Sequence, residues 1–243
     1  MSDLLTLRNV TKRFGGLVAV NEVSFTLGAG EVVGLLGPNG SGKSTVMNLI
    51  SGELPATSGS ITFDGTDIGP LPPHRIAKLG ISRTFQLVRL AESLSVRDNV
   101  IMPLAFASPH VWGRKARRRA DAALERVGLG GQGDMAPADL NYIDQKRVEL
   151  ARAIAPDPKL LLLDEWMAGL NPSELRTAIE LIRGLGDTGI TIFLVEHIME
   201  AVRELCPRCI VANAGSVIAD GPTEAVLSTP DVRRAYLGEA ADV

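Results

Sequence analysis

The stretch GPNGSGKST, Gly37 to Thr45, decides the fold. It fits G-x-x-x-x-G-K-[ST] and sits between an apolar run, EVVGLL, and a helix-like one, VMNLISG. Strand, glycine-rich turn and helix in that order form a phosphate cradle. Gly37, Gly40 and Gly42 let the backbone turn so that its N–H groups face oxyanions. The following helix offers its positive dipole end to the same anions. Lys43 adds a cation for the outer phosphates, Ser44 a hydroxyl for Mg²⁺, and Thr45 a contact to the inner phosphate. The whole run, Gly37, Pro38, Asn39, Gly40, Ser41, Gly42, Lys43, Ser44 and Thr45, is the candidate nucleotide-phosphate site.

Outward from this loop, LLLLDE (Leu160 to Glu165) reads as a buried strand that ends in two carboxylates. Ligands bind beyond the carboxyl ends of strands in open α/β sheets, so both acids belong near the cradle. Asp164 is the candidate Mg²⁺ carboxylate and Glu165 the candidate base for an attacking water. ITIFLVE is a further buried strand, with PSELRTAIELIRGLGDTG and IMEAVREL as helices around it. Strands alternating with helices predict a parallel sheet with right-handed crossovers. Near the N-terminus, LLTLRNVTKRFG, VNEVSFTLGAG and GSITFDGTDI alternate polar and apolar residues between glycines, which predicts short antiparallel strands. From about Leu87 to Ala155 helical patterns dominate, as an insertion between two halves of the sheet.

The 243 residues suffice for one large domain with a subdomain, and 45% hydrophobic content supports a substantial core. Aromatics at 4% argue against a stacking platform for single-stranded nucleic acid, and a net charge of −3 against a global field recruiting DNA or RNA. The apolar runs are far shorter than a spanning helix, and MSDLLTLRNVTKRF lacks a signal-peptide pattern. A soluble, cytoplasmic chain is expected. Cys206 and Cys209 form a CxxC, either a redox or half-zinc pair or two structural thiols. With no second pair and only His74, His110 and His197 as histidines, structural thiols are favoured.

At this point the chain resembles the ATP-binding-cassette (ABC) ATPases over nearly its whole length, through the order of its short motifs. KRFGG carries Phe14, aligned with the aromatic that stacks on adenine. GPNGSGKST follows, and RTFQ ends in Gln86, matching the glutamine that touches Mg²⁺ and the attacking water. Then come the helical insertion, LNYIDQKR in the signature position, LLLLDE, AGLNP as the dimer-spanning loop, and LVEH ending in His197, which matches the switch histidine on the γ-phosphate.

The resemblance implies one P-loop NTPase domain across residues 1–243. Its parallel-sheet core and N-terminal antiparallel β subdomain would occupy 1–86 and 156–243, with an α-helical subdomain over 87–155. It implies ATP and Mg²⁺ as cofactors, with Ser44, Gln86 and Asp164 on the metal and Lys43, Gln86, Glu165 and His197 in catalysis. It implies a head-to-tail dimer with a second ABC ATPase subunit, the same or different, with polytopic permease subunits as further partners. No nucleic-acid partner is implied. The chain would sit peripherally on the cytoplasmic face of the membrane. FGGLVAVNEVSF, GISRTFQLVRL, NPSE, AYLGEA, Tyr142 and Asp144 are similar to the branch that serves branched-chain amino acid importers.

The family signature L-S-G-G-Q stands here as Leu140, Asn141, Tyr142, Ile143 and Asp144. Asn141, a good helix N-cap, can replace the serine as an amide donor. Asp144 suits a helix N-terminus but puts negative charge near an anion. Ile143 is expected to face the partner's nucleotide, stiffening the turn and filling the approach path. One site of an asymmetric pair would then turn over slowly, since losing one aligned donor costs about 10²–10³ in rate. Trp166 stands where the family has proline; it either repacks the loop beside Glu165 or buries in the dimer seam. Asn171 replaces the aspartate of the spanning loop.

RKARRR, Arg114 to Arg119, is the one dense basic run. A solvated helix face, near anionic lipid at most, is favoured over a nucleic-acid patch. LVRLAESLSVRDNV either packs within the subdomain or, by resemblance, forms the groove for a membrane subunit's cytoplasmic helix. The rival functions are a soluble ABC protein of DNA repair or translation, a nucleotide sensor with low turnover, and a P-loop small-molecule kinase. The first lacks its usual coiled-coil insertion or second cassette, and Glu165 with His197 counts against the other two.

Overall fold

The structure is a computed structural model that describes residues 3–85, 88–107 and 110–237. In chain order it begins with β1 (Asp3–Phe14), β2 (Leu17–Gly28), β3 (Val32–Leu36), α1 (Lys43–Ile50), β4 (Ser58–Phe63) and β5 (Thr66–Asp67). There follow α2 (Pro73–Leu79), β6 (Ile81–Arg83), α3 (Val96–Phe106), α4 (Gly113–Arg126), α5 (Tyr142–Ile154) and β7 (Leu160–Asp164). The chain continues through α6 (Pro172–Asp187), β8 (Thr191–Val195), α7 (Met199–Leu205), β9 (Arg208–Asn213), β10 (Ser216–Pro222), α8 (Thr223–Leu227) and α9 (Pro230–Leu237).

The strands form two sheets. An antiparallel sheet has the order β2-β1-β4-β5, and a six-stranded sheet the order β10-β9-β3-β8-β7-β6. In the second, β9, β3, β8, β7 and β6 run parallel and only the edge strand β10 is antiparallel. The fold class is thus the expected α/β P-loop architecture. The first two strands are longer than the short ones expected, at twelve residues each. They turn at Gly15–Gly16, where Phe14 pairs with Leu17.

Alternate side chains of the central strands enter two different cores, because successive residues of a strand point to opposite faces. Leu161, Leu163 and Leu194 join the helical side, together with α3, α4, α5 and α6. Leu160, Leu162 and Phe193 join the other, against α1 and the antiparallel sheet. Both faces are covered, which is why these strands read as unbroken apolar runs.

Local chemistry sets the helix starts. Asn171 caps α6: its Oδ1 accepts the Ser173 and Glu174 N–H groups at 3.0 Å each, while its own N–H donates to Glu174 Oε2 at 2.9 Å. This capping box gives Asn171 a structural role. Cys206 and Cys209 are buried free thiols, their ionisation pushed up mainly by burial. Cys206 Sγ lies 3.3 Å from where a Cβ on Gly34 would stand, so the pair packs the β3–β9 seam. Inert structural thiols are the result.

A candidate nucleotide site at the carboxyl edge of the parallel sheet

Parallel register brings the site together. Leu35 pairs with Val195, and Val195 with Asp164, so β3, β8 and β7 end side by side. Beyond those ends lie the Gly37–Thr45 loop, Asp164 with Glu165, and Glu196 with His197. The loop needs its glycines for sterics as well as for φ. A Cβ at Gly37 (φ 150°) would stand 2.1 Å from the Ala212 carbonyl oxygen, and one at Gly42 (φ 98°) 2.5 Å from that of Ala19. The second contact places β2 against the loop, so the hairpin bearing Phe14 sits on the same side. Phe14 is 45% exposed, with Lys12 Nζ 5.1 Å over its ring.

Lys43 opens α1 and is buried, its Nζ donating to the Gly37 and Pro38 carbonyls at 2.7 and 3.0 Å. Burial lowers its pKa, while the charges of Glu165 and Asp164 act in the opposite sense. Both carboxylates are therefore close enough to be felt by the loop lysine. The Ser41 hydroxyl is buried without a hydrogen-bond partner, and a Cβ at Gly40 would meet open space. An orphaned donor and an open, glycine-lined turn fit a bound phosphate chain. Ser44 is exposed on the first turn of α1. Among the described residues no three His, Cys, Asp or Glu side chains form a metal cluster. Ser44, on the first turn of α1, and Asp164, at the end of β7, are the described candidates for holding Mg²⁺.

Asp164 is held from behind: Arg83 Nη2 donates to its Oδ2 at 2.7 Å, and Arg83 Nη1 to Asn48 Oδ1 at 2.6 Å. Glu165 has a φ of 50°, a left-handed conformation that disfavours a glutamate. Its N–H donates to the Val195 carbonyl at 2.9 Å, and its carbonyl accepts the Ala168 N–H at 3.1 Å. The kink brings Glu165 Oε1 to 2.9 Å from His197 Nε2. Glu165 and His197, 32 residues apart in sequence, thus form one pair. Gln86 lies outside the described residues. The described residues on either side of it are tied to α5: Glu149 Oε1 accepts the Phe85 N–H at 3.2 Å, and Arg152 Nη1 donates to the Arg89 carbonyl at 2.7 Å.

The signature helix differs from expectation. Asn141 caps α5 as foreseen, its Oδ1 accepting the Asp144 N–H at 2.8 Å. Tyr142 is half exposed. Ile143, however, is 7% exposed, buried in its own chain, with an ordinary helical backbone. Its side chain packs inside the chain instead of facing outward, and its helical backbone makes no demand for glycine. Arg147 Nη1 donates to Asp144 Oδ1 at 2.9 Å, offsetting the charge expected to repel an anion.

Trp166 is fully buried within the chain, so it repacks the loop beside Glu165 and is no part of a dimer seam. Its Nε1 donates to the Lys146 carbonyl at 3.3 Å, while Lys146 Nζ donates to the Trp166 carbonyl at 2.8 Å and lies 5.1 Å over the Tyr142 ring. Next to this exchange is Glu196, 1% exposed, a residue that the sequence reading passed over. Its carboxylate accepts the Met167 N–H at 2.8 Å and that of His197. It therefore fixes the backbone on both flanks of the Glu165–His197 pair. Burial raises its pKa to about 7, a shift opposed by those two N–H groups, furthered by Glu165 and opposed by Lys146.

Two outcomes follow from these contacts. A carboxyl with a raised folded-state pKa is stabilising below its unfolded value, and that contribution disappears as pH rises through the folded value. From about 4.5 to about 7 the wild type should therefore lose on the order of 3 kcal/mol relative to Glu196→Gln. Chemical denaturation of both proteins across that range measures the difference, and parallel curves would contradict it. Ile143→Gly should cost about 3–5 kcal/mol of stability by emptying a buried site and placing glycine in a helix. Faster ATP turnover by that variant would support a blocked signature.

A family model described as ABC transporter matches residues 20–168. The high-affinity branched-chain amino acid transport ATP-binding protein LivG of Salmonella typhimurium is 40% identical over 251 residues, covering 98% of both chains. The solved ADP conformation of an ATP-binding cassette of an ABC transporter superposes with a TM-score of 0.87 at 30% identity. That match covers 98% of this chain and 100% of the other. A dimeric ATP-binding cassette in a post-hydrolysis state, bound to ADP and Pi, gives 0.81 at 28% identity over 90% of this chain and 98% of its own. With a family model spanning more than half of its 243 residues and an end-to-end relative at this identity, the chain belongs to the ABC transporter family as an ATP-binding cassette.

Proposed function

We propose that this chain is the ATP-hydrolysing subunit of an ABC importer for branched-chain or related hydrophobic amino acids. The observation that carries the reading is the Glu165–His197 pair, 2.9 Å apart, beside a phosphate loop whose lysine feels both strand-end carboxylates. In this reading Gly37–Thr45 cradle the phosphates and Lys43 exchanges its loop carbonyls for the outer ones. Phe14 stacks on adenine. Ser44, Asp164 and Gln86 would hold Mg²⁺, whose charge would offset that of the phosphate oxygens. Glu165 takes a proton from the attacking water, and His197 keeps that carboxylate aligned while reaching the γ-phosphate. The amino-acid assignment rests on the likeness to LivG and to the motifs of its branch.

The chain would work as a head-to-tail pair with a second ATPase subunit, with Asn141, Tyr142, Ile143 and Asp144 completing the partner's site. Of these, Asn141 and Tyr142 are exposed and available for contact, and Ile143 supports them from within. Residues 87–155 would be the helical subdomain, inserted into a core of 1–86 and 156–243. No helix among the described residues is long and apolar enough to cross a membrane, so separate permease subunits would supply the pathway. A groove of about 750 Å³ lies where α2, β6, α3 and α5 meet, lined in part by Phe85, Arg89, Met102 and Phe106. Phe85 and Phe106 are 42% and 70% exposed. An apolar groove of this kind suits a permease's cytoplasmic helix, which supports a peripheral position on the cytoplasmic face of the membrane.

Lys43→Ala should weaken Mg·ATP binding roughly ten-fold or more, because a charged contact to phosphate is lost. Glu165→Gln should retain binding and lose about 10²–10⁴ in hydrolysis. Isothermal titration and phosphate release measure the two. Affinity unchanged in the first variant, or turnover unchanged in the second, overturns the site. Purification from native membranes should bring down polytopic membrane subunits; ribosomes or DNA in their place would overturn the transport reading.

A further inference from the structure

Helix α4 starts without the usual devices. Its N-cap, Trp112, makes no side-chain cap, and its first turn holds no acid. In their place stand Arg114, Lys115, Arg117 and Arg118, all exposed and without an ion-pair partner among the described residues. Cations crowd the positive end of a helix dipole, where they repel it and one another. A locally unfavourable arrangement with no internal compensation points to an external anionic partner. The opposite face of the helix is ordinary core: Ala116, Ala120, Ala123 and Leu124 are buried. Only beyond the basic turns does the exposed face become acidic, with Asp121, which is engaged by Arg97 at 2.6 Å, and Glu125.

The placement narrows the partner. Trp112 is 65% exposed at the head of the basic face, and Phe106, 70% exposed, ends α3 on the rim of the groove. From the other side Arg119 is ion-paired with Asp157, next to Pro156, which also lines the groove. Through Arg119 and Asp157 the helix that carries the basic face reaches the edge of the groove that the proposed function gives to a membrane subunit, and this step rests on that reading. A bilayer that holds such a subunit lies on the same side. Exposed indole and phenyl rings beside unpaired cations match a headgroup layer, with its anionic surface and apolar interior. Nucleic acid would use the cations but has no use for this aromatic rim at a membrane-facing groove. The chain's net charge of −3 provides no general attraction to an anionic surface, so binding would be local to this face.

We propose that Trp112 and the Arg114–Arg118 face of α4 form a docking surface for anionic lipid headgroups, beside the permease groove. The chain has two tryptophans, and Trp166 is fully buried, so a change in intrinsic fluorescence on binding reports Trp112. The full chain is mixed with vesicles of pure phosphatidylcholine, or of equal parts phosphatidylcholine and phosphatidylglycerol. The expected result is a blue shift and co-sedimentation with the anionic vesicles only, weakening as salt is added. Replacing all four cations (Arg114→Gln, Lys115→Gln, Arg117→Gln and Arg118→Gln) should lower partitioning by nearly three orders of magnitude, at roughly five-fold per cation. ATP affinity, which depends on the distant loop, should be unchanged and reports correct folding. Trp112→Ala should abolish the spectral shift and reduce co-sedimentation less than the quadruple change. No binding to anionic vesicles, equal binding by the quadruple variant, or binding to duplex DNA without vesicle binding each overturns the proposal. The vesicles contain no permease, so such a failure leaves the ATPase reading standing, and loss of that reading shows instead as intact ATP binding in the Lys43 variant.

Discussion

Parallel pairing of β3, β8 and β7 forces three chain segments, far apart in sequence, to leave the sheet at one edge. Because both faces are buried, register is strongly fixed. A slip of one residue in β7 would send Leu161 and Leu163 into the core built for Leu160 and Leu162. That same slip would move Asp164 off the sheet's end and Glu165 away from His197. The apolar alternation that stabilises the sheet and the alignment of the candidate catalytic groups are therefore one constraint. The site inherits its precision from the core and not from the loops that carry it.

An edge of this kind gathers charge where water is scarce, and its buried carboxylates Asp164 and Glu196 find partners. Arg83 and Asp164, with side chains 8% and 10% exposed, form a pair that adds little net stability but fixes the position of a carboxylate. Arg83 also grips Asn48 and lies 3.0 Å from Ser51 Oγ, so the end of α1 moves with β7. Glu196 occupies the analogous place under the second half of the site. It satisfies two backbone N–H groups that a kinked loop would otherwise bury unpaired. The left-handed φ of Glu165 is tolerable because its neighbours are over-determined in this way.

The sequence made legible whatever is local. The phosphate loop, the apolar strands and the Asn141 cap each depend on residues within one turn or one strand. Arg83, Lys146 and Glu196 were not legible, because their partners lie 81, 20 and 29 residues away and no short motif encodes the pairing. Ile143 was misjudged for a different reason. Comparison with a family signature treats it as a glycine replaced, which suggests a surface made bulkier. Helical spacing treats it as the first of Ile143, Lys146, Leu150 and Ile154, all buried on one side of α5, and the structure follows the spacing. Trp166 could be narrowed to two environments from sequence but not to one, since the choice depends on Lys146 reaching it from α5.

Helix α5 is where these threads meet. Its start presents Asn141 and Tyr142, its second turn places Lys146 against the loop after Glu165, and its third turn holds Phe85 through Glu149. Its last turns supply Arg152 and Ala153 to the groove. Thirteen residues make a rod of roughly 20 Å. A rod that short does not bend to serve its contacts separately, because its hydrogen-bond ladder and buried face move together. In the proposed dimer, a nucleotide that draws in the signature end must therefore shift the groove end or strain the Lys146–Trp166 exchange. Coupling between a partner's ATP and the groove proposed for a permease then needs no relay of individual side chains. It needs two positions of α5 that differ in their contacts at both ends, and the nucleotide favours whichever position it binds more tightly.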